Sequence, residues 1–382
     1  MFVVAVIFGF IHFQNQDSFS SSENDESYII VPSKQNDVLD KKIRETLNDD
    51  IYSSRSNLIT KTVAKISPAI VGINVIEIRE VRDPFFQDPF FQYFGPVYKQ
   101  KVQGLGSGFL VSSDGYIITN HHVAGTAIKI VVTTTDGKQY DAQVVGTDQV
   151  SDICLLKIEG DNLPYVKFGN SDDIIIGEWV IAFGNPFGLF DVNIKPTVTV
   201  GVVSATKMNL GIYNQSSYID MIQTDAAINS GNSGGALVNS VGEVIGMNTI
   251  IYTAGSSGNI GLGFAIPSNK IKRIMSELKE QGKIERDFWT GIRIQPIDES
   301  IAKYYKLPNT RGVIITSIDK KSPADKAGLK VEDIILEVDN YQIIDDKTII
   351  GVIQEYKAGD IITFKIKRGE EIFTTKMLLE KK

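Results

Sequence analysis

The run Gly231-Asn232-Ser233-Gly234-Gly235 constrains this chain more than any other feature. It sets one hydroxyl on a turn of small residues, where glycines permit tight backbone angles and close approach by another chain. A serine hydroxyl is a weak nucleophile until a base takes its proton. It also needs backbone N–H groups facing the charge that grows on an attacked carbonyl. In such a turn the N–H groups of Gly231 and Ser233 are the donors expected. Ser230 is a competing hydroxyl, but it lacks the flanking glycine pair. Glycine-rich turns are common, so the reading depends on a base and an orienting acid elsewhere in the chain.

The chain has three histidines, His12, His121 and His122. His12 lies in an apolar N-terminal stretch, which leaves His121 or His122 as the base. Both follow Tyr116–Thr119, a run that reads as a strand entering a turn. Asp152 stands at the mouth of the apolar run Ile153-Cys154-Leu155-Leu156. A carboxylate there can be buried against an imidazole N–H, fixing the tautomer and stabilising the imidazolium. Asp148 and Asp161 read as turn or cap residues. The chain order His, Asp, Ser is that of the chymotrypsin-like double barrel among unrelated triad folds. No metal is expected. Adjacent strand residues point to opposite faces, and one cysteine with no further histidine leaves no zinc set.

At these residues the chain resembles the HtrA/Deg family of serine proteases. The matching segments are Thr119-Asn120-His121-His122-Val123, Ser151-Asp152-Ile153, the long run Gln223–Leu237, and Gly261-Leu262-Gly263-Phe264-Ala265-Ile266-Pro267. The family usually reads Asn-Asn-His-Val at the base, so His121 stands where an Asn is usual and the base maps onto His122. The resemblance implies His122 as general base, Asp152 as its orienter and Ser233 as nucleophile. It implies oxyanion-hole amides from Gly231, Asn232 and Ser233. It places Ile228 and Leu262 at positions lining the primary specificity pocket, which favours small aliphatic residues before the cut. The resemblance runs from about Asn57 to the C-terminus.

Composition agrees with a globular chain. A length of 382 residues suggests roughly two or three domains, and 42% hydrophobic residues can fill a sizeable core. The net charge of −7, with both signs interspersed, argues against nucleic acid as a main partner. Cys154 is the single cysteine, which excludes an intramolecular disulfide and reads as a buried small hydrophobe. No P-loop signature is present, and no cofactor is expected. Residues 1–13 are nearly all apolar, short of the about twenty residues of a membrane span and without a positive leader. They read as a signal or anchor segment. Residues 14–56 turn polar and read as a flexible tether. That arrangement suits a cell-envelope protein, periplasmic in a Gram-negative cell, with possible attachment to the inner membrane.

The expected architecture is mainly β. Short strands from Val71 to Ile266, with glycine-rich turns, read as two six-stranded barrels, with the protease domain over residues 57–282. A helix is expected from Ser268 to about Gln281, with Ser268 as N-cap, Ile271, Ile274, Met275 and Leu278 on one face, and Gly282 as its stop. Lys283–Arg286 reads as a hinge. Residues 287–382 resemble a PDZ domain through Gly312–Ile318, Ser322–Leu329 and Asp333–Val338. Such modules add a peptide C-terminus as an extra strand and capture its carboxylate on backbone amides. Here the capturing loop is expected at Trp289, Thr290, Gly291 and Ile292.

Two further segments carry regulatory expectations. Asp83–Phe94 is a near-repeat dense in aromatics, and exposed aromatic clusters rarely stay in water. In the family such a loop can reach a neighbouring subunit, and the basic assembly is a trimer or a multiple of trimers. Thr206–Tyr218 matches a loop that relays PDZ occupancy, often through an Arg; here Lys207 is the only basic residue in it. The leading reading is an ATP-independent endopeptidase that degrades unfolded or misfolded proteins. The alternatives are a membrane-anchored regulatory protease gated by its PDZ domain, and a holdase or peptide-binding scaffold.

Overall fold

The computed structural model describes residues 55–82, 97–185, 195–229, 231–251 and 261–381. Residues 1–13, nearly all of 14–56, the aromatic near-repeat and Ser230 lie outside the described residues.

Helix α1 (Leu58–Ile66) opens on a reciprocal cap, with Asn57 and Thr60 each accepting the other's backbone N–H at 2.9 Å. Strands β1 (Ile70–Arg82), β2 (Val97–Leu110) and β3 (Tyr116–Thr119) follow, then the single turn α2 (His121–Ala124). Next come β4 (Lys129–Thr134), β5 (Gln139–Asp148) and β6 (Ile153–Lys157). These six strands close into a barrel in the order β1-β2-β3-β6-β5-β4. Its interior is filled from five of the six strands: Ile70, Ile73, Phe109, Ile117, Ile118, Val132, Leu155 and Leu156 are fully buried. Each such side chain stabilises the fold by about 1.5–3 kcal/mol relative to exposure.

The second barrel uses β7 (Lys167–Phe168), β8 (Trp179–Gly184), β9 (Thr197–Met208), the hairpin β10 (Gly211–Tyr213) and β11 (Ser216–Tyr218), β12 (Met221–Thr224), β13 (Ala236–Asn239), β14 (Glu243–Ile251) and β15 (Gly263–Pro267). Its sheet runs β13-β8-β9-β12-β15-β14, and β13 also pairs with β14, which closes a ring of six strands. The short β7 adds in parallel to β14, and β10–β11 stands apart as a two-stranded sheet. The two-barrel expectation therefore holds. Sequence patterning missed β5, the two-residue β7, the β10–β11 hairpin and the short β12, β13 and β15. β5 alternates exposed with half-buried residues along its first half, where Tyr140 and Ala142 pack on the barrel core.

Helix α3 (Ser268–Gln281) buries Ile271, Ile274 and Leu278 completely, and ends where the Gly282 N–H bonds the Leu278 carbonyl. Its expected N-cap is corrected by one residue. Pro267 occupies the cap, while the Ser268 hydroxyl donates to Gly169 O at 3.0 Å.

The C-terminal module comprises β16 (Ile292–Pro296), α4 (Glu299–Tyr304), β17 (Val313–Ile318), α5 (Pro323–Lys326), β18 (Ile334–Val338), β19 (Tyr341–Gln342), α6 (Asp346–Gln354), β20 (Ile361–Arg368) and β21 (Glu371–Leu378). Its sheet orders β16-β17-β18-β20-β21, with β19 paired to β18. Its core centres on Val313, Ile315, Ile349, Val352, Phe364 and Ile366, and it also takes in Ile219, which follows β11.

The expected hinge at Lys283–Arg286 is not free. The Arg286 guanidinium pairs with Asp148 at the end of β5, and its Nε donates to Gln354 O at 2.7 Å. A mostly buried ion pair resists separation because either partner alone would be an uncompensated charge. Lys270 with Glu355 at 2.5 Å, and Lys357 with Glu277, make further ties between α3 and the end of α6.

Candidate active site

Both barrels contribute to one constellation. His122 sits on α2, not on a strand, so the expectation that the two neighbouring histidines face opposite sides of a strand is replaced by a helical turn. Asp152 lies just before β6 with φ of +55°, a left-handed value uncommon for a residue with a side chain. That turn, closed by Asp152 N–H on Gln149 O at 3.2 Å, aims the carboxylate back at α2.

The Asp152 carboxylate is fully buried and fully partnered. Oδ1 accepts the His122 backbone N–H at 3.0 Å, and Oδ2 lies 2.8 Å from His122 Nδ1. Oδ2 also accepts from Asn120 Nδ2 at 3.1 Å, Tyr218 OH at 3.1 Å and Thr249 Oγ1 at 2.9 Å. Burial alone raises the carboxyl pKa. The hydrogen bonds from His122 and the charge of its ring once protonated, with help from Thr249, outweigh it and hold the acid below its ordinary value. Tyr218 responds the other way: burial first, and then the Asp152 charge, push its phenol up, so it stays a donor.

With a carboxylate at Nδ1, that nitrogen carries the proton and Nε2 keeps its lone pair. The His122 side chain is 46% exposed, so this basic edge faces the open cleft. His121 is turned elsewhere. Its N–H donates to Asp152 O at 3.1 Å, and its Nδ1 is 2.8 Å from Thr147 Oγ1. Burial lowers the His121 pKa despite the nearby Asp152 and Asp148 charges, which favours the neutral ring.

Ser233 stands on the second barrel, between Asn232 and β13. Its Oγ donates to Thr249 O at 3.0 Å, and it makes no hydrogen bond to His122. Serine–histidine contacts often tighten only when substrate arrives. Thr249 thus touches both halves: its hydroxyl holds Asp152 and its carbonyl holds the serine.

The turn around Ser233 is braced peptide by peptide. Gly231 and Gly234 adopt φ of +92° and +84°, which other residues resist. A Cβ on Gly234 would stand 2.2 Å from Ser107 O, so the close approach also requires glycine. Asn232 N–H donates to Asn229 O at 2.9 Å, Gly234 N–H to Asn248 O at 2.8 Å, and Gly235 N–H to Asn232 O at 2.9 Å. The Asn232 amide is therefore committed within the turn, which corrects its expected place among the oxyanion donors. The Ser233 N–H has no partner among the described residues, as an oxyanion donor requires.

Ile228 is buried in the second-barrel core, and a Cβ on Gly263 would meet its Cδ1 at 2.8 Å. Leu262, next to that glycine, is partly buried. Cys154 is buried and its thiol is pushed up to about 12, mainly by desolvation. Sequence reasoning did not find Thr249, Tyr218, Asn120 or Ser107. Only Asn120 carried a local signal, as a polar residue inside the histidine motif.

A second concavity of about 670 Å³ lies along β16 and α6, lined by Ile292, Ile294, Ile349, Ile350 and Ile353. Trp289, Thr290, Gly291 and Ile292 close one end. Gly291 has φ of +75°, and a Cβ there would meet Ser322 at 2.1 Å. The N–H groups of Thr290 and Gly291 have no partner among the described residues, while Gly291 O accepts from Asp319 and Thr290 O from Ala324. Val150, two residues before Asp152, and Arg286 line the same concavity.

Comparisons with known proteins agree with this geometry. A trypsin-like peptidase domain model matches residues 106–247, and a PDZ domain model matches residues 290–379. A probable periplasmic serine endoprotease, DegP-like, of Chlamydia pneumoniae is 42% identical over 356 residues, covering 84% of this chain and 71% of that protein. The protein of the same description from Chlamydia muridarum (strain MoPn / Nigg) is 41% identical, covering 85% and 68%. Among solved structures, the HtrA-type protease AlgW with decapeptide aligns with a TM-score of 0.64 at 33% identity, over 86% of this chain and 99% of that one. The chain belongs to the HtrA/DegP-like family of serine endoproteases, with a trypsin-like peptidase domain followed by a PDZ domain.

Proposed function

We propose that the chain is an ATP-independent, periplasmic endopeptidase that degrades unfolded or misfolded proteins, with His122, Asp152 and Ser233 as its catalytic residues. One observation carries the reading: the buried Asp152 carboxylate, with four side-chain donors, holds His122 by Nδ1, and Thr249 ties it to Ser233 by bonding Asp152 through its hydroxyl and Ser233 Oγ through its carbonyl. Ser233 Oγ attacks the scissile carbonyl, and His122 Nε2 takes its proton and passes it to the leaving amine. The carbonyl oxygen becomes an oxyanion held by the N–H groups of Gly231 and Ser233. Water, deprotonated by His122, then attacks the acyl-enzyme and frees the new carboxyl end. Asp152 holds the ring and stabilises its cation without taking the proton.

Ile228 and Leu262 line the primary pocket in this reading. The Ile228 side chain against Gly263 makes it shallow, which suits Val or Ala before the cut. Residues 57–282 form the protease unit and 287–382 the peptide-binding unit. Thr290 and Gly291 amides, with Trp289 and Ile292, receive a peptide carboxylate, and the apolar groove receives its side chains. The assembly is a trimer or a multiple of trimers. Residues 1–13 direct export or attach the chain to the inner membrane, and among the described residues no helix is long and apolar enough to cross a membrane.

The second reading, a PDZ-gated regulatory protease, is favoured by one contact. Helix α6 lines the peptide groove and also packs on β10–β11, where Ser217 Oγ donates to Gly351 O at 2.9 Å. Lys270 ties this junction together, with its Nζ 3.5 Å from Ser217 O and 2.5 Å from Glu355, while Arg286 bonds Gln354 O from the interdomain connection. Casein cleavage by residues 40–382, with and without a peptide bearing a free apolar C-terminus, separates the readings. Cleavage without peptide supports general quality control, and cleavage only with peptide supports gating. Aggregation protection by the Ser233→Ala variant without any wild-type cleavage would replace both with a holdase.

A further inference from the structure

Ser107 lies on β2 of the first barrel, between Gly106 and Gly108, and is fully buried. All of its polar atoms are engaged, and nearly all of them reach the nucleophile turn or its supports. Its N–H donates to Ser233 O at 2.9 Å. Its hydroxyl donates to Gly231 O at 2.5 Å and accepts the Asn185 N–H at 2.7 Å. Its carbonyl accepts from Oγ1 of Thr119, the first residue of the motif that carries the base, at 2.7 Å.

The geometry points to the Ser107 hydroxyl as a positioning residue that holds the oxyanion turn in its working orientation. The assignment rests on Ser233 being the nucleophile.

The physical argument is a count of peptide groups. Between Gly231 and Gly235 there are four. The 231–232 peptide is held at Asn232 N–H by Asn229 O and at Gly231 O by the Ser107 hydroxyl. The 232–233 peptide is held at Asn232 O by Gly235 N–H, whose own 234–235 peptide is thereby fixed. The 233–234 peptide is held at Ser233 O by Ser107 N–H and at Gly234 N–H by Asn248 O. Every bond but one is made by main-chain groups that any sequence would supply. The exception is the bond to Gly231 O, which depends on a side chain from the other barrel.

That bond meets the turn at a conformationally permissive residue. Gly231, at φ +92°, lacks the Cβ that would otherwise limit rotation of its two peptides, and its N–H is one of the oxyanion donors. A glycine that permits the turn also permits the peptide to swing. The Asn185 N–H, at the end of β8, occupies a lone pair of the Ser107 hydroxyl and directs its proton onto Gly231 O. The three groups form a short relay from the end of β8 through Ser107 of the first barrel to the nucleophile turn, and each bond polarises the next. Removing the hydroxyl leaves a carbonyl without its donor and the 231–232 peptide held only at Asn232 N–H.

The test compares wild type with Ser107→Ala and Ser107→Cys, using a short chromogenic peptide ester, a peptidyl boronate and the product peptide. Alanine deletes the donor, while cysteine keeps the shape with a weak donor. Loss of an aligned oxyanion donor predicts a fall in kcat of about tenfold or more, with KM held within about twofold. Boronate affinity should fall in parallel with kcat/KM, product-peptide affinity should not, and cysteine should retain more activity than alanine. Unchanged kcat in a folded alanine variant overturns the assignment, as does a lower kcat with undiminished boronate affinity. If alanine does not fold, the cysteine variant decides by the same two readings. Turnover surviving in Ser233→Ala would instead overturn the underlying choice of nucleophile, whatever Ser107 does.

Discussion

The two barrels bring unequal halves to the cleft. On the first, Asp152 and His122 are locked together: the carboxylate has four side-chain donors, and the imidazole has one orientation. On the second, the Ser233 turn is held in place, yet its hydroxyl points to the Thr249 carbonyl and makes no bond to His122. In the proposed mechanism the acid–base half is in place before substrate arrives, and Ser233 Oγ must leave the Thr249 carbonyl to meet His122. The lesson is that a buried charge must be satisfied at all times, whereas an unionised hydroxyl can wait in a neutral hydrogen bond at little cost.

The largest effects test whether both halves are needed. Ser233→Ala and His122→Ala should each lower kcat by about 10⁴-fold or more, measured on casein and on a short peptide ester. Substantial turnover in either variant would break the comparison at its root. A smaller effect is expected from Thr249→Val, which removes a donor from Asp152 but leaves the carbonyl that holds Ser233. A loss of about tenfold in kcat with unchanged KM would show that the acid half depends on this bridge from the second barrel.

Smaller still is Tyr218→Phe. If the carboxylate is over-provided with donors, losing one should cost about threefold to tenfold in kcat at neutral pH. The acid side is more telling. The Asp152 pKa is held below its ordinary value of 3.8, so its contribution to stability is complete above that value. It is lost as pH falls through the lower folded value. Weakening the donor set with Phe should move acid unfolding, followed by tryptophan fluorescence, to higher pH. An unmoved acid transition would mean that Tyr218 contributes packing only.

The smallest effect belongs to His121→Asn, which should leave most turnover intact. Its signature lies in stability. Burial lowers the His121 pKa below 6.5, so the unfolded chain binds more protons as pH falls through that value toward the folded one. Wild-type Tm should therefore decline more steeply below pH 6.5 than that of the Asn variant. Equal slopes would place the His121 ring outside this linkage, and loss of turnover would move the base from His122 to His121.

The contrast between halves also separates what could be read in advance. The serine turn, the histidine motif and the acid before an apolar strand are local patterns. Glycine placement and strand alternation act over a few residues, so a mainly β chain and the helix at Ser268–Gln281 were legible, while the triad order pointed to the double barrel and the family resemblance to the PDZ module. The patterns failed on strands too short or too fully buried to alternate. β12, β13 and β15 are four or five residues long and nearly all buried, and the β10–β11 hairpin packs on α6.

The sequence alone determined which residue types meet and in what order, because turns and alternation are set by local sterics. Only the tertiary structure decided how they are supported. Thr249 reaches Asp152 across 97 positions, Ser107 reaches Gly231 across 124, and Arg286 reaches Asp148 across 138. None of these residues carries a local signature, since a hydroxyl or guanidinium reads the same wherever it is exposed or buried. Their roles arise when packing removes water and leaves one partner within reach, as the fully buried Asp152 demonstrates.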